Sequence, residues 1–176
     1  MHIAISAILA VVCIAAAATD LASRRIPNLL TFPAMLVFLG LHAIAAGMPG
    51  LLYSLAGLGA GFALLIVPHM FGVMGAGDVK FLAAAGAALG WYGVIWAFLL
   101  ASVAGGVYAL ILIAVRRGVA VRLFAGLREQ FQMLVATGRV HVRSGTHGLP
   151  RLCYGVALAA GTLAVTAWRT APGWIG

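Results

Sequence analysis

Asp20 and Asp78 are the side chains of this chain best suited to chemistry. They are two of only three acidic residues in 176 positions, the third being Glu129. Both stand at the ends of long apolar runs, where a carboxylate costs free energy. An ionisable residue in such a setting is a functional hypothesis by default. Asp78 also lies in a glycine-hinged turn, Gly75-Ala76-Gly77-Asp78-Val79-Lys80. Two carboxyls within hydrogen-bond reach cannot both ionise easily, so they share a proton. The charged one can draw a proton from water, while the protonated one polarises a peptide carbonyl and later serves the leaving amine. The pair titrates as a unit, so the residue types do not say which is the base. Glycines beside Asp78 let backbone approach an extended peptide.

The elements that must position this pair are membrane helices. The chain is 64% hydrophobic and 8% charged, with a mean hydropathy of +1.13. Soluble domains average roughly 45–50% apolar and about 25% charged. The net charge of +8 does not point to nucleic acid, because the cations flank apolar segments in the pattern of topogenic charge. Cys13 and Cys153 form neither a CxxC pair nor a Cys/His cluster, so no metal site and no disulfide framework is indicated. They read as small buried hydrophobes. Residues 1–19 carry no Lys or Arg, whereas Arg24-Arg25 follow. A signal peptide has the opposite charge order, so this reads as an uncleaved first span.

A helix needs about 20 apolar residues to cross a ~30 Å hydrocarbon core. Spans are predicted at roughly 2–20, 29–46, 51–70, 91–115 and 152–168, with a short one at 79–89 broken from the next near Gly90. The breaks have local causes: Pro27-Asn28, Gly47-Met48-Pro49-Gly50 and Pro68. The expected fold is therefore an all-α membrane protein, a bundle of six transmembrane helices forming a single domain over 1–176. Between spans five and six, Leu123, Phe124, Leu127, Phe131 and Leu134 recur at helical spacing opposite Arg122, Glu129 and Gln132. That pattern predicts a cytoplasmic amphipathic helix on the membrane surface, in contact with lipid.

With the N-terminus outside, ten of the eleven Lys and Arg residues fall in or beside cytoplasmic turns; only Arg169 lies outside. Cytoplasmic loops carry the Lys/Arg excess, so this orientation is expected. Spans two and three go out and return. Asp20 and Asp78, 58 positions apart, thereby come back to the same face.

Each residue has a plainer explanation. Asp20 with Arg24 could be an i,i+4 ion pair on a helix end, worth a few tenths of a kcal/mol. Asp78 could be an N-cap accepting from the amides of Val79–Phe81. Lys80 could be a snorkelling cation. His42 and His69, within apolar spans, read as hydrogen-bonded packing residues, and His141 and His147 show no ligand spacing. A different functional class also fits a membrane carboxylate pair: a small proton-coupled transporter or proton-conducting protein. No acid near mid-span continues such a path.

Together the residues resemble a known family. Ala18-Thr19-Asp20-Leu21-Ala22-Ser23-Arg24-Arg25-Ile26-Pro27-Asn28, followed by Leu29-Leu30-Thr31, looks like the first signature of the type IV prepilin peptidases. Gly75-Ala76-Gly77-Asp78-Val79-Lys80 looks like their GxGD signature, and Tyr154-Gly155 through Gly161 resembles their C-terminal span. Cys153 departs from the more usual Pro-Tyr-Gly. The resemblance implies an aspartic endopeptidase of the bacterial inner membrane. It would remove the basic leader, a class III signal peptide, from prepilin or pseudopilin precursors at the cytoplasmic face. Asp20 and Asp78 would be the catalytic pair. Gly75, Gly77, Lys80, Arg24 and Asn28 would belong to the active-site loop. No metal or other cofactor is implied. Larger members carry an N-terminal extension with paired cysteines and also N-methylate the product. This chain starts at the first span without them, and so resembles the short form associated with Flp/Tad-type pili.

Overall fold

Four helices carry the fold in the computed structural model, which describes residues 2–70, 74–115 and 154–170, together with Arg128. They are α1 (His2–Ser23), α2 (Asn28–Met70), α3 (Ala76–Val115) and α4 (Tyr154–Thr170), and no strand occurs among the described residues. The first three are long and apolar enough to cross a membrane. The predicted amphipathic helix lies outside the described residues, as does Cys153.

Two of the helices are broken. In α2 the break falls at Ala46 and Gly47, the latter at φ 62°. A Cβ on Gly50 would collide with the carbonyl oxygen of His42. Eight residues along a straight helix would separate these groups by ~12 Å, so the chain doubles back here. The turn starts earlier than Pro49, because glycine, not proline, takes the left-handed conformation. Pro68 does not end α2, which runs on to Met70. In α3 the break is Gly90, at φ 72°.

The stretch before Gly90 is the centre of the protein. Phe81 through Leu89 are all buried. Apart from Phe81, Leu82 and Leu89 these residues are alanine and glycine, so neighbouring helices can approach from every side. A Cβ on Gly57 would strike the Gly86 carbonyl, and one on Gly61 the Leu82 carbonyl. The second part of α2 thus runs antiparallel to the first part of α3 at backbone contact.

The break leaves the last carbonyls of that buried helix without helical partners. Side chains satisfy them instead. Ser54 Oγ donates to Ala87 O at 2.7 Å and His42 Nε2 to Ala88 O at 3.1 Å. Tyr53 Oη and Arg169 Nη1 each donate to Leu89 O at 2.7 Å. His42 is a packing residue of this kind, and His69 Nδ1 likewise pairs with Met74 O at 3.0 Å.

Helix α1 packs on α2 and α4 through Ile5, Leu9, Cys13 and Ala16. By compactness Met1–Gly105 and Cys153–Gly176 form one unit, and Gly106–Leu152 another. In the second unit, residues 106–115 continue the helix of α3, with Val107, Tyr108, Leu110 and Ile111 exposed.

Candidate active site

Asp20 is in the last turn of α1. Hydroxyls hold that turn, Thr19 Oγ1 donating to Ala15 O at 2.9 Å and Ser23 Oγ to Thr19 O at 2.8 Å. Arg24 then adopts a left-handed conformation, φ 52°, and its N–H donates to the Asp20 carbonyl at 2.8 Å. This is a helix C-cap built on a residue other than glycine, at a cost of ~1–2 kcal/mol. It redirects the chain so that Arg24, Arg25 and Ile26 run beside the aspartate instead of away from it.

Asp78 sits three residues beyond Gly75 in the first turn of α3. It is not the N-cap. Its Oδ2 reaches back to accept the Gly75 N–H at 3.2 Å, while its own N–H donates to Gly75 O at 3.1 Å. The first bond is one half of a capping box, in which the side chain of the third helical residue closes on the cap N–H; Gly75 has no side chain to give the other half, and its backbone carbonyl takes that place. A Cβ on Gly77 would lie 3.3 Å from both Ile26 N and Ile26 O. Glycine thus lets the turn before α3 press on the backbone of the α1–α2 connection.

These two connections form one open cavity of about 370 Å³, lined by Asp20, Arg24, Arg25, Ile26, Gly75, Ala76, Gly77 and Asp78. Both carboxylates line this one cavity. Asp20 is 6% exposed, and its Oδ2 is buried with no hydrogen-bond partner. It is not a surface ion pair with Arg24. A buried unpaired carboxylate oxygen costs roughly 1–3 kcal/mol or more, and such groups call for an explanation in function.

Of the other residues singled out from sequence, Gly75, Gly77 and Arg24 line this cavity, whereas Lys80 and Asn28 do not. Lys80 Nζ donates to Asn28 Oδ1 at 2.8 Å and stands 5.1 Å from the centre of the Phe32 ring. Together they tie the start of α2 to α3. Asn28 does not cap α2; the Pro27 carbonyl accepts from Leu30 and Thr31 at 3.1 and 3.4 Å, leaving the Asn28 side chain for Lys80. Among the described residues, no three His, Cys, Asp or Glu side chains group as a metal site would require.

Compared with family models, residues 7–110 match the type IV leader peptidase family. That stretch covers more than half of the 176 residues and contains both aspartates. The chain belongs to the type IV leader peptidase family. Neither curated proteins nor solved structures gave a match. In this family member, sequence reasoning passed over Ile26, whose backbone forms a wall of the aspartate cavity. It passed over the role of Gly155 as well, against which Asp20 packs. A signal for the second existed: the expected six-span topology would bring the start of its last span, at Tyr154-Gly155, to the face expected to hold Asp20.

Proposed function

We propose that this chain is an aspartic endopeptidase that removes the basic leader of prepilins or pseudopilins at the cytoplasmic face of the inner membrane, with Asp20 and Asp78 as its catalytic pair. The observation that carries the reading is the shared cavity of these two carboxylates, one of them with a buried oxygen lacking any partner. In the reaction, one carboxylate takes a proton from water as the water oxygen bonds to the scissile carbonyl carbon. The other carboxyl gives its proton to the carbonyl oxygen. Collapse of the tetrahedral intermediate breaks the C–N bond: the second carboxylate takes back a hydroxyl proton from the gem-diol, and the amine leaves with the proton that the first took from water. The pair ends with the one proton it began with.

The topology proposed is six spans, counting α2 and α3 as two each across their breaks, with the N-terminus outside. Arg24, Arg25 and Lys80 stand at the aspartate end. Arg169 and the exposed Trp91, Tyr92, Trp96 and Trp168 stand around the Gly90 end, the residues of a membrane–water interface. From Asp78 to Gly90 the helix rises only ~18 Å, well short of the ~30 Å hydrocarbon core. The cavity therefore lies below the bulk water surface, at the depth where a cationic leader meets the apolar helix of a pilin.

The test is co-expression with a candidate pilin precursor and mass measurement of the pilin N-terminus. A precursor left whole by the wild-type protein and by every candidate pairing would end the reading.

A further inference from the structure

The aspartate cavity is lined by α1, α3 and their flanking turns, yet α4 also packs against the Asp20 carboxylate, at Gly155. A Cβ built on Gly155 would lie 2.8 Å from Asp20 Oδ2, 3.0 Å from its Cγ and 3.2 Å from its Cβ. All three nearest atoms belong to Asp20, and contacts under 3.0 Å oblige something to move. The same Oδ2 is the buried atom with no hydrogen-bond partner. It is held by shape.

α4 cannot retreat to make room. The Tyr154 ring lies 3.1 Å from where a Gly105 Cβ would stand, and a Cβ on Gly161 would be 2.5 Å from Ala97 O and 2.6 Å from Ala101 N. The helix is seated against α3 at both places, one on each side of Gly155. Any bulk added at 155 must be absorbed by rotation of the Asp20 side chain.

The geometry points to Gly155 as a positioning residue for Asp20: the bare backbone of α4 sets the carboxylate in the orientation that the pair with Asp78 requires. Gly155 carries no group that could take part in the reaction and acts only through Asp20. It lies outside the stretch that matches the family, residues 7–110. The inference rests on the proposed role of the aspartates.

The experiment measures kcat and KM for leader removal by full-length Gly155→Ala, with Gly161→Ala, Asp20→Asn and Asp78→Asn in parallel. A misplacement of ~1 Å can cost ~10²-fold in rate. Gly155→Ala is expected to lower kcat by about 10- to 100-fold with KM within about twofold. Gly161→Ala, more crowded but away from the carboxylate, lowers the yield of folded protein and leaves kcat per folded molecule unchanged. Wild-type kcat in Gly155→Ala, with both Asn variants inactive, overturns the positioning role and leaves the aspartate pair standing. Activity in the Asn variants overturns the pair itself. Where Gly155→Ala is not recovered folded, the double variant Asp20→Ala with Gly155→Ala decides. Removing the carboxylate makes room for the methyl, so folding is expected to return. A double variant as unstable as Gly155→Ala alone shows that Asp20 is not what the methyl meets, and the inference fails.

Discussion

Asp20 and Asp78 reach one cavity by different local devices, a left-handed C-cap at Arg24 and a reciprocal turn between Gly75 and Asp78. Asparagine at either position keeps the size and hydrogen bonding of the side chain but removes the ionisable proton. Proton transfer by a positioned group contributes ~10²–10⁴-fold, and the pair acts as a unit. Asp20→Asn and Asp78→Asn should each lower precursor cleavage at least ~10²-fold at normal membrane levels, read by the mass of the pilin N-terminus. Full cleavage by either well-inserted variant removes that residue from the mechanism. Both aspartates were legible in the sequence because acid is so scarce in an apolar chain. The directions of Lys80 and Asn28 were not. Their spacing from the aspartates allows them to line the cavity, but Lys80 instead finds the Asn28 oxygen and the Phe32 ring.

The buried first part of α3 is where helix packing is tightest and least forgiving. At the crossing of Gly57 and Gly86, each missing Cβ faces the other's carbonyl. The obstacle is backbone, which cannot swing aside. Overpacking of a well-filled interior costs ~1–3 kcal/mol and occasionally more; Gly57→Ala should sit at or above the top of that range. Thermal unfolding in detergent checks it, and an unchanged midpoint would show that the crossing is looser than described. At the Gly90 break the carbonyls are shared among several donors. Tyr53→Phe removes one bond to Leu89 O and leaves the one from Arg169. A loss of about 1 kcal/mol is expected, visible as a small drop in the same unfolding midpoint. The short first part of α3 and its break at Gly90 could be anticipated from a glycine between two apolar runs. The donors that close the break could not, since they come from α2 and α4.

At the scale of the whole molecule, among the described residues, Arg24, Arg25 and Lys80 mark one end, and Trp91, Tyr92, Trp96 and Trp168 together with Arg169 mark the other. Ser23 follows Asp20 at one end, and Thr170 follows Arg169 at the other. In a background without Cys13 and Cys153, Ser23→Cys should react with a membrane-impermeant thiol reagent only from the cytoplasmic side. Thr170→Cys should react only from the outside. Labelling of both from one side would contradict the proposed orientation. The proposed reaction moves its protons through two carboxylates alone. Precursor cleavage should therefore survive chelators and thiol alkylation, and loss of activity to a chelator with recovery on adding zinc would replace the mechanism.

By itself the sequence determined the helical class, the breaks near Gly47 and Gly90 and the two aspartates as candidates, because each of these is a local or compositional property. Apolar runs of membrane length must form helices where backbone groups have no water to bond, glycine and proline mark where those helices stop, and two acids in so apolar a chain identify themselves. Three-dimensional packing alone decided which groups touch. Whether Gly155 of the last helix presses on Asp20, whether Asp78 caps its helix or closes a turn three residues back, and which donors meet the carbonyls before Gly90 all depend on how the helices lean together. Residues far apart in the chain meet there at distances that no local pattern encodes.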